Sequence, residues 1–164
     1  MTAVQIEIRE VDPQSTDPLL LLDQAAVEAK LLYPEQQNLF EARPTNAPTP
    51  PRGLYVVAYR SGIPVGMGAH RPVNENTTEV RRMFVNKQVR RSGVGTAILE
   101  SIEEHARCLG FTALVLETGN RQLPAMALYE SFGFYQIEPF GVYASDPTSV
   151  CFRKEIHAKP FGAA

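Results

Sequence analysis

Seven consecutive residues, Arg90, Arg91, Ser92, Gly93, Val94, Gly95 and Thr96, have the composition of an anion-binding turn. A strand pattern precedes them and a helix pattern follows. A strand, a glycine turn and a helix start place free backbone N–H groups at one point, and the helix dipole adds partial positive charge there. Diphosphate is the natural occupant of such a cradle. Glycine at 93 and 95 lets the backbone approach phosphates where a side chain would collide. Arg90 and Arg91 can supply charge-assisted contacts. The stretch 81–91 holds five bases, Arg81, Arg82, Lys87, Arg90 and Arg91, and no acid. Such a run is either a solvated surface or a site for a phosphorylated ligand, and the turn that follows favours the ligand. Two common phosphate motifs do not fit. No Lys follows Gly95, and Ile98 stands where a dinucleotide fingerprint needs a third small residue.

The elements that must carry this turn can be read from periodicity. Residues 4–11 alternate apolar and polar as a half-buried strand does, and Pro13 and Pro18 break the run. Residues 19–33 lack internal Pro and Gly and predict a helix. Residues 34–53 form a long loop with five prolines, a length that suits functional or mobile segments. Residues 53–60 and 63–73 predict strands joined at Ser61 and Gly62, and 78–85 a third strand of a meander. Residues 95–109 have a helical apolar repeat closed by Gly110, with Cys108 read as a small core residue. The continuous apolar run 111–117 predicts a strand buried on both faces in a parallel pair. A second helix is expected over 122–132, closed by Gly133, and strands over 134–137 and 150–156. Strand and helix alternating after a meander imply a mixed α/β sheet.

With Arg90, Gly93 and Gly95 in that context, the turn resembles the acetyl-CoA motif Gln/Arg-x-x-Gly-x-Gly/Ala of the GCN5-related N-acetyltransferase (GNAT) family. Two further segments agree in order and spacing. Residues 81–85 resemble the family's cofactor-pairing strand. Leu116 and Glu117, followed by Tyr129, Gly133 and Phe134, resemble its later strand-and-helix motif. The resemblance covers about residues 53–137 closely and the N-terminal strand and helix in outline. It implies one N-acetyltransferase domain over 1–164. The expected fold is a mixed, mostly antiparallel sheet of about seven strands flanked by helices, with a splayed parallel pair at the cofactor.

Residue by residue, the resemblance assigns the pantetheine arm to the backbone of Met83, Phe84 and Val85. It assigns the pyrophosphate to Arg90, Arg91, Ser92, Gly93, Val94, Gly95 and Thr96. Tyr129 becomes the general acid that protonates the leaving thiolate. An amine must lose its proton before it attacks, so a carboxylate of raised pKa is wanted as base. Glu117, twelve residues before Tyr129, matches the base of the ribosomal-protein N-terminal acetyltransferase branch, while Glu79 matches the position other branches use. Gln122 departs from the family's usual Asn, and Asn120 is a substitute for that cofactor contact. The acceptor site is expected from residues 31–52 and 139–149, with Phe140, Tyr143 and Asp146 forming a wall suited to an amino group.

The implied activity is acetyl transfer from acetyl-CoA to a primary amine of a small molecule, amino acid or peptide N-terminus, by direct attack in a ternary complex. The alternative is a catalytically silent acyl-CoA sensor of the same fold. A homodimer is compatible with either. Composition narrows the field further. The net charge of −2 and a single aromatic, Phe84, among the bases of 81–91 argue against nucleic acid. Eight acids against three bases in residues 1–50 suggest a cationic acceptor. No apolar run approaches the ~18 residues of a membrane span, and the N-terminus lacks signal-peptide character. Cys108 and Cys151 make neither a disulfide framework nor a zinc site, and His70, His105 and His157 lie far apart in sequence, so no metal is expected. A cytoplasmic enzyme is the default.

Overall fold

Alternating apolar side chains and a turn with two residues at positive φ, Ser61 (53°) and Gly62 (75°), fold the middle of the chain into a hairpin. The computed structural model describes residues 5–36 and 43–159. In chain order the elements are β1 (Ile6–Glu10), α1 (Thr16–Leu32), β2 (Leu54–Arg60), β3 (Ile63–Pro72), β4 (Thr77–Val85), α2 (Val94–Cys108), β5 (Ala113–Gly119), α3 (Leu123–Ser131), β6 (Tyr135–Ile137) and β7 (Ser149–Glu155). The strands form one seven-stranded sheet in the order β1-β2-β3-β4-β5-β7-β6. Only β4 and β5 run parallel; every other neighbouring pair is antiparallel. No described helix is long and apolar enough to cross a membrane.

The two faces of the sheet bury different sets of side chains. On one face Val56, Val80, Leu114, Leu116 and Phe152 pack under Val94, Ile98 and Ile102 of α2 and Tyr129 of α3. On the other, Tyr55, Val57, Met67 and Phe84 pack under Leu21 and Leu22 of α1. Each fully buried side chain of Phe or Leu size contributes on the order of 1.5–3 kcal/mol of transfer free energy. A polar relay sits between β3, β4 and α2. Buried His70 places Nδ1 2.7 Å from the Thr78 hydroxyl and Nε2 2.8 Å from Nδ1 of His105.

Several boundaries differ from the sequence reading, each for a local reason. The first strand is described as Ile6–Glu10. Helix α1 begins at Thr16, so Pro18 lies within its first turn, where the missing N–H costs nothing. Helix α2 starts one residue earlier than expected, at Val94, because Gly93 stands before it at φ 90°. Strand β5 runs past Glu117 to Gly119, held by its antiparallel pairing with β7. Cys108 is exposed rather than part of the core: it falls at the solvent end of α2, its Sγ 3.8 Å from Glu104. Cys151 is the buried cysteine.

Candidate active site

The parallel pairing that joins the two halves of the sheet is short. It runs from Thr77 against Ala113 to Val80 against Leu116, and stops there although both strands continue. A bulge explains the parting. Ala69 opposes Arg81 and Met67 opposes Phe84, so one residue of β3, Gly68, faces two of β4. The extra residue is accommodated at Arg82, whose φ is 59°. A bulge adds local twist and bends its strand. Here it carries residues 82–85 away from β5. Gly68 makes this possible, since a Cβ there would lie 2.8 Å from Sδ of Met83 and 2.5 Å from Ile98.

Beyond the last pair, the edge of β4 that faces β5 carries backbone N–H and C=O groups with no strand partner, at Met83, Phe84 and Val85. Met83 and Val85 turn their side chains to the α2 side, and Phe84 to the α1 side. The chain then passes through the glycine turn. Gly93 needs its positive φ, and a Cβ on it would meet nothing within 4 Å, so the turn is open in front of it. Gly95 differs: its Cβ would come within 2.7 Å of Leu128 on α3, so this glycine permits close helix packing. Val94 is buried, while Arg91, Ser92 and Thr96 are exposed. The Ser92 hydroxyl donates to the Val89 carbonyl.

The five bases of 81–91 do not form one patch. Arg90 donates to the Val85 carbonyl (2.9 Å) and pairs with Glu28 of α1 (2.5 Å), so it braces the turn against α1. Arg82 donates from Nε to Oδ1 of buried Asn46 (2.9 Å), whose amide donates to the Pro13 carbonyl and the Tyr55 hydroxyl. Arg81 points to Glu79. The acids of the N-terminal third are also engaged locally. Glu7 pairs with Arg9, Asp23 with Arg43, Glu28 with Arg90 and Glu35 with Arg121. Four of the eight acids are thus held in ion pairs.

Carboxylates and a phenol approach the opening from opposite faces of the sheet. Glu117 stands one residue past the last β4–β5 pair, on the face away from Leu116. Its Oε2 accepts a 2.7 Å hydrogen bond from the Ser149 hydroxyl. Burial pushes its carboxyl up, reinforced by the charges of Asp146 and Glu79, against the opposing effects of the Ser149 bond and Arg81. Glu79 is 6% exposed and lies on the same face. Its Oε2 accepts from the Tyr143 hydroxyl (2.7 Å), and its Oε1 lies 3.7 Å from both Arg71 and Arg81. Tyr143 in turn packs edge-on against Phe140 at 5.4 Å.

Tyr129 comes from the other side. Its ring is wedged between Phe134 and Phe152, at 5.8 and 6.2 Å. Burial, with the Glu117 charge adding to it, holds its phenol well above the usual value, so it is a neutral O–H at any physiological pH. The head of α3 is fixed by α1: the Tyr33 hydroxyl accepts from the Arg121 N–H (3.0 Å) and lies against Gly119. Asn120 is exposed, its N–H given to the Thr148 carbonyl, and Gln122 is exposed at the helix start without a side-chain cap.

The structure thus brings Glu117, Glu79 and Tyr143 to one face of the opening, with Tyr129 buried in the core of the other face and the glycine turn at the far end of β4. Arg71, Ser149 and the Arg82–Asn46 brace are not apparent from sequence, since each acts through a partner distant in the chain. Gly66 and Gly68 inside a strand pattern are the one signal of the bulge.

Comparison with known proteins agrees with this geometry. Residues 20–134 match the Acetyltransferase (GNAT) family. The chain is 41% identical over 126 residues to the IAA acetyltransferase of Azospirillum brasilense, covering 76% of this chain and 81% of that one. An acetyltransferase structure from Streptococcus agalactiae superposes with a TM-score of 0.70 at 25% identity, over 92% of this chain and 98% of the other. A GNAT acetyltransferase from Elizabethkingia anophelis, solved with acetyl-CoA bound, shares the fold (TM-score 0.64, 20% identity, 92% and 98% coverage). A splayed parallel pair, a glycine turn before α2 and matches of this extent lead to one conclusion: the chain belongs to the GNAT family of acetyltransferases.

Proposed function

We propose that the chain moves the acetyl group of acetyl-CoA to a primary amine by direct attack within the opening between β4 and β5. The observation that carries this reading is the end of the parallel pairing at Val80 and Leu116, with Glu117 on one face of the gap and Tyr129 on the other. The site fits the co-substrate. The edge of β4 over Met83 to Val85, which no strand pairs on the β5 side, is open to an amide-bearing arm, the Val85 carbonyl being held by Arg90. The N–H groups at the start of α2, with Arg91, Ser92 and Thr96 exposed beside Gly93, offer an anion cradle. When bound, acetyl-CoA supplies an activated acyl group and a thiol leaving group.

The residues of the chain then divide the proton work. Glu117, its carboxyl pushed up by burial, takes a proton from the ammonium form of the acceptor at Oε1 or Oε2, directly or through a water. Glu79 is the poorer base, because Tyr143 occupies one oxygen and two guanidiniums flank the other. Tyr129 is neutral and donates its hydroxyl proton to the departing sulfur. Arg90 has a supporting part: tied to Glu28 and Val85, it shapes the turn rather than holding phosphate. Asn120 and Gln122, exposed at the head of α3, are free to contact the cofactor there. Two free cysteines suit a reducing compartment such as the cytoplasm.

The test is thiol release from acetyl-CoA with a panel of amines, amino acids and peptides. Saturable release with at least one amine supports acetyl transfer. Acetyl-CoA binding without release on any amine would replace the enzyme by an acyl-CoA sensor.

A further inference from the structure

Arg81 is the first β4 residue past the last pair with β5, as Glu117 is the first on β5. Strands at pairing distance are about 5 Å apart, so these two positions begin a gap only slightly wider than that. Arg81 also opposes Ala69 on β3, two positions from Arg71, which opposes Glu79. The four side chains therefore share one face of the sheet, at the mouth of the opening.

Their bonding is unequal. Arg71 and Arg81 each stand 3.7 Å from the same oxygen of Glu79, too far for a hydrogen bond. Neither guanidinium hydrogen-bonds to any described residue. Arg82, the next residue on the strand, spends its guanidinium on Asn46 and Thr45, and Arg90 spends its own on Val85 and Glu28. The side chain of Arg81 is only 30% exposed. Its nitrogens still reach solvent, so their donors are free for a bound anion, which can take them in charge-assisted hydrogen bonds. Glu79 is thus shared by two guanidiniums, and Glu117, with Asp146 beside it, faces them across the gap. Bound cofactor phosphate does not take these donors: the glycine turn follows Val85, about 13 Å along the strand from Arg81.

We propose that the acceptor carries a carboxylate close to its amine, and that Arg81 and Arg71 hold that carboxylate while Glu117 faces the amine. This rests on the acetyl-transfer reading above. The planar forks of two arginines match a carboxylate's two oxygens. The short span between Arg81 and Glu117 selects an amine and a carboxylate a few bonds apart, as in a free amino acid. It disfavours a peptide N-terminus, whose carboxylate lies farther off. Phe140 and Tyr143 provide an aromatic wall beside it. Glu79 has the positioning role of holding the two guanidiniums apart and aimed at the gap.

The experiment compares thiol release from acetyl-CoA with matched acceptors: a free amino acid, its carboxamide, its decarboxylated amine and a dipeptide. They are compared at equal concentrations of unprotonated amine. A charge-assisted carboxylate contact is worth roughly 10- to 100-fold in kcat/KM, so the acid should exceed the carboxamide and the amine by about that factor in the wild type. In Arg81→Gln and Arg71→Gln the ratio should fall towards one, through a raised KM for the acid, and Arg81→Lys should recover part of it. The proposal is overturned if the wild type uses the carboxamide, the amine or the dipeptide as well as the acid. It is equally overturned if the ratio survives in both glutamine variants. The wild-type ratio decides even if a variant fails to fold. Absence of release with every acceptor would instead remove the acetyl-transfer reading, and this one with it.

Discussion

The two faces of the sheet use the same strands for opposite purposes. Under α2 and α3, Val80, Leu114, Leu116 and Phe152 close a dry core. On the other face α1 covers Tyr55, Val57 and Met67, and the ground over β4, β5 and β7 holds Glu79, Arg81, Glu117 and Tyr143 instead. Period-two alternation makes this possible, since neighbours such as Leu116 and Glu117 point to opposite faces. The core face therefore backs the charged one, and Tyr129 is the core side chain proposed to act in the chemistry.

The largest effect that could break this comparison is at Tyr129. Tyr129→Phe keeps the ring against Phe134 and Phe152 and removes only the hydroxyl. Loss of a general acid costs about 10²–10⁴ in rate, so kcat should fall by that much with acetyl-CoA affinity little changed. Near-normal turnover with chemistry rate-limiting would return Tyr129 to the core alone.

Next come the two glycines of the turn, which should separate binding from packing. Gly93→Val forces a β-branched residue to φ 90° in open space, so titration calorimetry should show acetyl-CoA binding weakened about tenfold or more, with a modest loss of stability of ~1–2 kcal/mol. Gly95→Val meets Leu128, so thermal melts should show the larger loss there, ~1–3 kcal/mol of overpacking. Equal effects of both on stability would erase the distinction.

The smallest effect lies wholly on the core face. Burial and the neighbouring His105 and Arg52 charges push His70 down to about 3, whereas an unfolded histidine titrates near ~6.5. Above the unfolded value both states are neutral and stability is full. Below it the unfolded chain takes up a proton that the folded chain refuses, so stability falls by up to ~1.4 kcal/mol per pH unit. Denaturant melts at pH 7 and pH 5.5 should show this loss, and His70→Gln should shrink it. An unchanged difference in the variant would mean that other groups carry it.

Much of the cofactor half was legible because its signals are local: the spacing of Arg90, Gly93 and Gly95, and the apolar run before Glu117. The extension of β5 to Gly119 was missed because antiparallel pairing with β7 overrides the polar residues there. The dispersal of the bases of 81–91 was not legible for a related reason. Bulge geometry at Arg82 sends adjacent arginines to Glu79 and Asn46, while Arg90 turns to Glu28. No one-dimensional count reveals that. Acceptor-side pairs such as Tyr143 with Glu79, 64 residues apart, are likewise set by tertiary contact alone.

The most direct test of the reaction site is kcat against pH, with acetyl-CoA and acceptor saturating, in wild type, Glu117→Gln and Glu79→Gln. Because burial raises the Glu117 carboxyl, the wild-type rate should fall on the acid side with an apparent pKa above the ordinary ~4.3 of glutamate. Glu117→Gln should lose that limb together with most of the activity, and Glu79→Gln should retain it. A profile unchanged in Glu117→Gln and flattened in Glu79→Gln would contradict the assignment and move the base to β4.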